Sequence, residues 1–304
     1  MLVNRYKASP VYKSLIKDAV YLLRFAYLYV VNGLRVRTIL FYPEFPVFKT
    51  EINKVLMGSR FNVTNNPNQP FDLVVCWQDE TFRKPLHHLA KLAGRAPVIN
   101  RYCTDISKRK VDRVFHKIFG YALDVNPRQH RGECVRKSNI NATHDACVIN
   151  CPVEAEDNAY VYQKLLDNSF DDDTAFDLRL PIYGNTIPFV YVRYRPLSKR
   201  FYGDFKVEVR DPAVYFSADE IIKILAFCRE MGLDYGDLDT VRDRSDGRLY
   251  IVDVNNTPQS ADADVSMTRA DKKRARTLAK RAFLANFIEP AAEAVQPGSV
   301  SARS

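Results

Sequence analysis

Three oxygen-bearing side chains near the C-terminal end have spacings that suit a metal site. Residues 245–247 (Ser-Asp-Gly) form a natural hairpin loop, with the glycine in the left-handed position that closes the turn. With the turn centred on residue 246, Asp239 faces Asp253, and strand alternation places Asn255 on the same face as Asp253. Directly opposed carboxylates destabilise a sheet unless a cation lies between them, and this set of oxygen ligands suits Mg²⁺.

The same register places Val241 opposite Ile251. Apolar Leu249, Ile251 and Val254 indicate that the hairpin is half buried, where unpaired carboxylates are costly. The alternative is a solvated acidic hairpin in which Asn255 and Asn256 are turn residues.

A second group of residues that could do chemistry is basic. Arg179 lies on an expected strand, and a Gly-Asn pair at 184–185, suited to a hairpin turn, leads to the strand with Arg193 and Arg195 on one face. Planar guanidinium groups match carboxylates and phosphates, so these arginines could hold a phosphate and an acidic substrate. A solvated basic strand face is the alternative.

The bulk composition limits the partners. The chain has 304 residues and a formal net charge of +9, which indicates a negative partner: a nucleotide, a phosphorylated metabolite, a nucleic acid or an anionic membrane. Scattered cysteines and the lack of a signal peptide favour the cytoplasm. The apolar stretch 19–34, interrupted by Arg24 and Asn32, is too short to span a membrane. It predicts an amphipathic helix packed on the first domain, with a helix on a membrane surface as the alternative.

The elements that must position these residues first alternate between strand and helix, which implies a small parallel sheet. Strands are expected at residues 38–42, 73–76 and 98–100, and helices at 48–57 and 84–92. No Gly-x-Gly-x-x-Gly follows these strands, so no dinucleotide site is expected there.

Antiparallel structure is expected downstream. A helix at 107–119 is followed by strands at 134–137, 146–150 and 160–165, and then by the paired strands 176–183 and 187–194. A capping box opens a helix at 217–232, which leads to the acidic hairpin at 238–242 and 249–254 and to a basic helix at 269–287.

The strand with Asp239, the hairpin, and the run Tyr-Ile-Val-Asp-Val-Asn-Asn-Thr-Pro at 250–258 resemble the metal-binding end of the ATP-grasp family. The resemblance covers residues 105–258. It implies that Asp239, Asp253 and Asn255 bind one or two Mg²⁺ ions that bridge the phosphates of ATP.

Upstream, the resemblance implies further nucleotide contacts. Lys108 lies on the early helix, and Lys137, in Val-Arg-Lys-Ser-Asn, matches the family lysine that contacts the phosphates; Arg179 is assigned to the nucleotide with them. The run Val-Tyr-Gln-Lys-Leu-Leu at 161–166 resembles the linker between the two lobes, so Gln163 and Leu165 would contact adenine. A plain core strand is the alternative.

The segment of this chain that corresponds to the family's glycine-rich lid departs from that pattern. It reads Asn-Ile-Asn-Ala-Thr-His-Asp-Ala at 139–146, with alanines in place of glycines that would let the backbone fold closely over phosphates. His144 and Asp145 would compensate by contacting the phosphates or the reacting group; a structural loop histidine is the alternative. His144, Arg193 and Arg195 are the candidate catalytic residues.

The resemblance implies an α/β (α+β) ATP-grasp-like fold, in which a small parallel α/β domain precedes two α+β lobes that clasp ATP. The expected divisions are a helical segment at 1–35, a pre-ATP-grasp-like domain at 36–104, an ATP-grasp-like domain at 105–290 with its lobe boundary near 163–170, and a disordered tail at 291–304.

The implied activity is that of a ligase. The family activates a carboxylate as an acyl phosphate, which an amine or another nucleophile then attacks, so the expected partners are ATP, Mg²⁺ and an acidic small molecule or a peptide. One alternative is a kinase of the same fold that phosphorylates a small molecule. The other is a non-catalytic binder of nucleic acid or membrane surfaces, suggested by the net charge and the basic helix. No specific nucleic acid is expected, peripheral membrane contact stays open, and the sequence assigns neither a substrate nor an oligomeric state.

Overall fold

The computed structural model describes residues 37–47, 50–57, 61–84, 87–143, 145–199, 206–259 and 267–289, together with positions 19, 22, 23, 26, 27, 29 and 30. Those single positions are helical and exposed, and the rest of the expected segment 1–35 lies outside the described residues. His144 and the expected tail 291–304 also lie outside them. No described helix combines the length and the hydrophobicity that crossing a bilayer requires.

A four-stranded parallel sheet forms the N-terminal part, as expected. Its strands are β1 (Thr38–Pro43), β2 (Asn62–Thr64), β3 (Leu73–Trp77) and β4 (Val98–Ile99), in the order β2-β1-β3-β4. The helices are α1 (Glu51–Met57) and α2 (His87–Ala93). Every residue of β3 is buried, which is typical of a parallel strand covered on both faces. The sequence analysis missed β2 because three residues are too short for a periodic pattern.

A three-stranded antiparallel sheet follows the helix α3 (Lys108–Phe119). Its strands are β5 (Gly132–Ser138), β6 (Cys147–Cys151) and β7 (Tyr160–Lys164), in the order β6-β5-β7. Ser107 caps α3 by accepting a hydrogen bond from the Lys110 amide, and Gly120 ends it at a φ of 81°. The Ser107 cap fixes the start of the helix, so that Lys108 is its first residue.

A five-stranded antiparallel sheet completes the fold, in the order β10-β9-β8-β11-β12. Its strands are β8 (Thr174–Tyr183), β9 (Val190–Pro196), β10 (Lys206–Arg210), β11 (Tyr235–Arg242) and β12 (Leu249–Asn255). The helix α4 (Ala218–Met231) begins with the expected capping box of Ser217 and Glu220. The helix α5 (Arg269–Phe283) ends in a π-helical turn over Leu284–Ile288.

The two faces of the five-stranded sheet have different roles. One face carries apolar side chains such as Leu180 and Leu238, which belong to the same buried core as residues of α3 and α4. At one end of the other face, Tyr183 and Tyr235 belong to a core shared with the parallel sheet, and the Trp77 ring lies 6.5 Å from that of Tyr235. Further along that second face, β8, β9, β11 and β12 carry charged side chains, which form the candidate site.

Asn100 joins the parallel sheet to β11. This residue is fully buried and has a φ of 58°. Its Oδ1 accepts from the backbone amides of Asp234, at 2.8 Å, and Tyr235, at 2.9 Å, and its Nδ2 donates to the Tyr235 carbonyl oxygen at 2.6 Å. Its own amide donates to the Asp234 carboxylate at 2.7 Å. These four hydrogen bonds link the end of the parallel sheet to the start of β11.

Candidate functional site

The acidic hairpin places Asp239 directly opposite Asp253, as the sequence predicts. The register nearer the turn was predicted wrongly, because Val241 faces Tyr250 and not Ile251. The hairpin closes with the amide of Asp243 donating to the carbonyl of residue 248, so its loop is one residue longer than expected. Gly247 does have a positive φ of 72°.

A β-bulge at Val252 explains how the facing carboxylates were still predicted correctly. Asp239 pairs with Asp253 while the next residue, Thr240, pairs with Ile251, so Val252 is the extra residue in β12. This insertion cancels the one-residue error at the turn. A bulge leaves its extra residue out of the regular ladder, and the Val252 carbonyl oxygen accepts a hydrogen bond from Lys137 Nζ at 3.0 Å.

Lys137 therefore reaches β12 next to Asp253. Burial, together with the nearby charge of Lys108, lowers the pKa of its ammonium group to about 8. A negative group bound beside Lys137 would stabilise the charged form of this ammonium group.

Lys108, at the start of α3, contacts Asp253 directly. Its Nζ donates to Asp253 Oδ1 at 2.8 Å and also bonds to the side-chain oxygen of Asn141. The Asp253 side chain is 34% exposed, whereas that of Lys108 is 8% exposed. The carboxylate is thus held by a buried cation and still has a face open to a ligand.

The lid is docked against this pair through Asn141, a residue that the sequence analysis did not single out. The Asn141 amide donates to Thr81 Oγ1 at 2.9 Å, and its Nδ2 donates to the Val254 carbonyl at 2.9 Å. Ala142 has a φ of 60°, a region that favours glycine. The backbone therefore takes a glycine-like conformation although the residue is alanine. No local pattern marks Asn141, because its partners lie far away in the sequence.

Asp239 is held by two arginines. Arg179 donates to it through Nε at 2.8 Å and through Nη2 at 3.0 Å, and Arg193 Nη2 lies 3.0 Å from its Oδ1. Burial alone would raise the pKa of this carboxyl, but the two guanidinium charges lower it well below its usual range. Asp239 is therefore an anion under all ordinary conditions, and its side chain stays 21% exposed.

Two further carboxylates complete the charged face. Asp177 forms salt bridges with both Arg193 and Arg195, which confirms that these arginines share one face. Asp237 is buried, with Arg179 Nε 3.9 Å away. Burial raises the pKa of Asp237 to about 7. Strand alternation could have identified both aspartates from the sequence, but their pairing with these arginines depends on the order of the strands.

Gln163 has a partner of its own on α3. It is buried, and its Nε2 donates to both carboxylate oxygens of Asp112, at 2.7 and 2.8 Å. Burial raises the pKa of Asp112 to about 6. Leu165 follows the end of β7 and is half buried. The structure brings Lys108, Lys137 and the metal candidates together, whereas the Gln163 side chain is bonded to Asp112 of α3.

The donor set fits a hard divalent cation with its phosphate ligands. Asp239 and Asp253 are partly exposed on one sheet face, and Asn255, also half buried, lies two residues beyond Asp253. Carboxylate and amide oxygens suit Mg²⁺, which usually keeps positions for phosphate and water. The surrounding cations Lys108, Lys137 and Arg179 match the charge of a polyphosphate.

Comparison with known proteins gives a structural match only. No family model matches the sequence, and no curated protein is significantly similar to it. The ATP-grasp ligase PsnB, solved with a phosphomimetic variant of its minimal precursor, Mg and ADP, is 12% identical, covers 83% of this chain and 99% of its own, and gives a TM-score of 0.50. A RimK domain ATP-grasp protein from Sphaerobacter thermophilus DSM 20745 is 13% identical, covers 83% and 100%, and gives 0.45. A RiPP-associated ATP-grasp ligase from Chryseobacterium gregarium, in complex with ADP and a leader and core peptide, is 14% identical, covers 73% and 89%, and gives 0.41. At 12% identity the match to PsnB shows the fold and nothing further, and the fold of this chain is the ATP-grasp fold.

Proposed function

We propose that this chain is a Mg²⁺- and ATP-dependent ligase that activates a carboxylate as an acyl phosphate for attack by an amine or another nucleophile. The observation that carries the proposal is the convergence of Lys108 and Lys137 on β12, beside the facing carboxylates of Asp239 and Asp253. Lysines placed beside a pair of partly exposed carboxylates supply the charges that a metal-bound triphosphate requires.

Each part of the site has a role in this reaction. Asp239, Asp253 and Asn255 would hold one or two Mg²⁺ ions, which neutralise phosphate charge when bound. Lys108 and Lys137 would hold the phosphate oxygens. The arginines of β8 and β9 (Arg179, Arg193 and Arg195) would orient the substrate carboxylate and stabilise the negative charge that develops during phosphoryl transfer. Positioning and charge stabilisation suffice for this chemistry, so no covalent nucleophile is required.

The class of the carboxylate substrate is proposed from the structural match. The solved structure of PsnB contains a variant of its minimal precursor, and by analogy we propose a peptide rather than a small molecule as the carboxylate substrate. The main competing function is a kinase of the same fold, since phosphoryl transfer to a hydroxyl uses the same cations. Gln163 and Leu165 remain our candidates for the adenine edge.

Nucleotide binding is tested first by thermal shift, with ATP, ADP and AMPPNP, each with and without Mg²⁺. We expect a rise in Tm that requires both nucleotide and metal, because a ligand that binds the folded state stabilises it. Product analysis with panels of carboxylates, amines and alcohols then separates the functions: ADP with an amide supports the ligase, and ADP with a phosphoester supports the kinase. The absence of any nucleotide-dependent shift would contradict both.

The low pKa of Lys137 predicts a pH dependence of ATP binding. The ammonium group is charged below its pKa of about 8 and becomes neutral as the pH rises through that value. The Mg-ATP affinity of the wild type should therefore fall by about tenfold between pH 7 and pH 9.5, the loss of one charge-assisted contact. Isothermal titration calorimetry measures this. Lys137→Arg keeps its charge over the range and should show a flat profile; the same slope in both proteins would rule out Lys137 as the titrating group.

The contact between Asn141 and Lys108 predicts a second effect on ATP affinity. Asn141→Ala removes the side chain that holds Lys108 beside Asp253, and we expect the Kd for Mg-ATP to rise by about tenfold. The control is Thr143→Ala in the same lid, whose hydroxyl bonds within the loop, to Ile140 and Asp145. Equal affinities of the two variants would show that Asn141 does not position Lys108.

A further inference from the structure

The helical segment that precedes β1 has an apolar face that is exposed. Its described positions 19, 22, 23, 26, 27 and 30 are helical and recur every three or four residues, which is the spacing of one face of a helix. On that face Leu22, Leu23, Tyr27 and Val30 are 65–73% exposed. We call these four residues the N-terminal stripe.

The N-terminal stripe is not packed on the parallel sheet. Among the described residues, none of the three hydrophobic cores includes any member of the stripe. The parallel sheet buries its own apolar side chains against α1, α2 and the five-stranded sheet. A single exposed apolar side chain is ordinary on a protein surface, whereas a contiguous group marks an interaction site. The expected packing of this helix on the first domain therefore does not account for its apolar face.

The sequence around the N-terminal stripe is strongly basic. Before β1, which begins at Thr38, the chain contains seven Lys or Arg residues and one acidic residue, Asp18. This segment therefore has a formal charge of +6, out of +9 for the whole chain. Lys108, Lys137 and the arginines of β8 and β9 all follow β1, so the candidate site does not account for the excess charge in front of it.

An anionic bilayer fits both the apolar face and the charge. A second copy of the chain would cover the apolar side chains but would bring two segments of +6 together, and like charges repel. The headgroup region of a bilayer accepts an apolar helix face, and its anionic lipids attract nearby Lys and Arg side chains. Tyr27 suits this location as well, because tyrosine is enriched where membranes meet water.

We propose that the N-terminal stripe binds the surface of an anionic phospholipid bilayer. The helix would lie in the plane of the interface, with Leu22, Leu23, Tyr27 and Val30 inserted among the headgroups and the basic residues of the same segment close to the lipid phosphates. Binding would require neither nucleotide nor metal, so the proposal is independent of the ligase function. It would place the candidate site beside a membrane surface.

Co-sedimentation of the full chain with lipid vesicles tests the proposal. One set of vesicles contains phosphatidylcholine alone, and the other contains about 30% phosphatidylserine. We expect binding to the anionic vesicles to be at least about tenfold tighter and to weaken with added salt, since each cation near the surface contributes about fivefold. Leu22→Gln/Leu23→Gln should weaken binding to the anionic vesicles by at least about tenfold. Lys13→Gln/Lys17→Gln should reduce the preference for phosphatidylserine.

Two matched controls change equivalent groups elsewhere on the surface. Val214→Gln/Ile222→Gln removes two exposed apolar side chains, and Lys273→Gln/Arg281→Gln removes two exposed cations from the basic helix α5. Both should bind vesicles like wild type. Each substituted position of the stripe is exposed, so the Tm should also equal that of wild type.

Three results would overturn the proposal. The first is equal binding of wild type to the two kinds of vesicle, and the second is unchanged binding of Leu22→Gln/Leu23→Gln. The third comes from sedimentation velocity without lipid: a wild-type dimer that Leu22→Gln/Leu23→Gln converts to a monomer would assign the stripe to a second copy of the chain.

Discussion

Asp253→Asn should abolish Mg²⁺-dependent ATP binding, with a Kd at least about 100-fold higher than that of wild type. The substitution keeps the shape of the side chain but removes the negative charge, which is the part that a hard cation requires. It also leaves Lys108, whose side chain is 8% exposed, without its carboxylate partner. Even loss of an outer partner of a metal ligand commonly costs 10–100-fold in metal affinity, so loss of a charged ligand should cost more.

Calorimetric titration of Mg-ATP into both proteins measures the change. The matched control is Asp246→Asn, on the loop of the same hairpin, where the carboxylate pairs with Lys164 at 3.0 Å and lies away from the charged face. That variant should bind Mg-ATP like wild type. Wild-type affinity in Asp253→Asn would refute the proposed metal site, and a similar loss in both variants would indicate damage to the hairpin rather than loss of a ligand.

Arg179→Met should lower the free energy of unfolding by about 3–5 kcal/mol, the usual cost of removing one partner from a buried ion pair. Arg179 holds Asp239 through two hydrogen bonds and lies near the buried Asp237. Methionine fills much of the space but leaves both carboxylates with less positive charge. The loss is therefore electrostatic rather than steric.

Urea unfolding at pH 7 measures this loss. The double variant Arg179→Met/Asp239→Asn should be more stable than the sum of the single changes predicts, because residues in one network are coupled. Arg210→Met, which breaks the exposed pair with Glu208, should leave the unfolding midpoint unchanged. If Arg179→Met were as stable as wild type, the charged face would have to be solvated more freely than its burial indicates.

Local chemistry made part of the site predictable. The hairpin loop and the strand alternation placed Asp239 opposite Asp253, and the alternation along β9 placed Arg193 and Arg195 together. The bulge at Val252 was beyond such reasoning, because no glycine or proline marks it. That bulge exposes the carbonyl to which Lys137 donates, so the error in register concealed a feature of the site.

Contacts between distant segments were not predictable. The hydrogen bond between Lys108 and Asn141 joins residues 33 positions apart, and that between Gln163 and Asp112 joins residues 51 positions apart. A single sequence contains no signal for such pairs, because each residue alone is an ordinary polar residue. The strand β10 was missed for a different reason: its five residues alternate between charged and apolar side chains, the pattern of a half-buried strand, and this short signal was overlooked.

The bonds of Asn100 have a consequence for how the molecule would admit a nucleotide. Because they join the parallel sheet to the start of β11, the parallel sheet and the five-stranded sheet should move as one rigid unit. The three-stranded sheet contacts that unit through side chains at its strand ends, among them Lys137 of β5, which donates to the Val252 carbonyl oxygen, and Lys164 of β7, which pairs with Asp243. We expect nucleotide entry to require a movement of the three-stranded sheet relative to this unit, and Asn100→Ala to loosen the contact between the parallel sheet and β11.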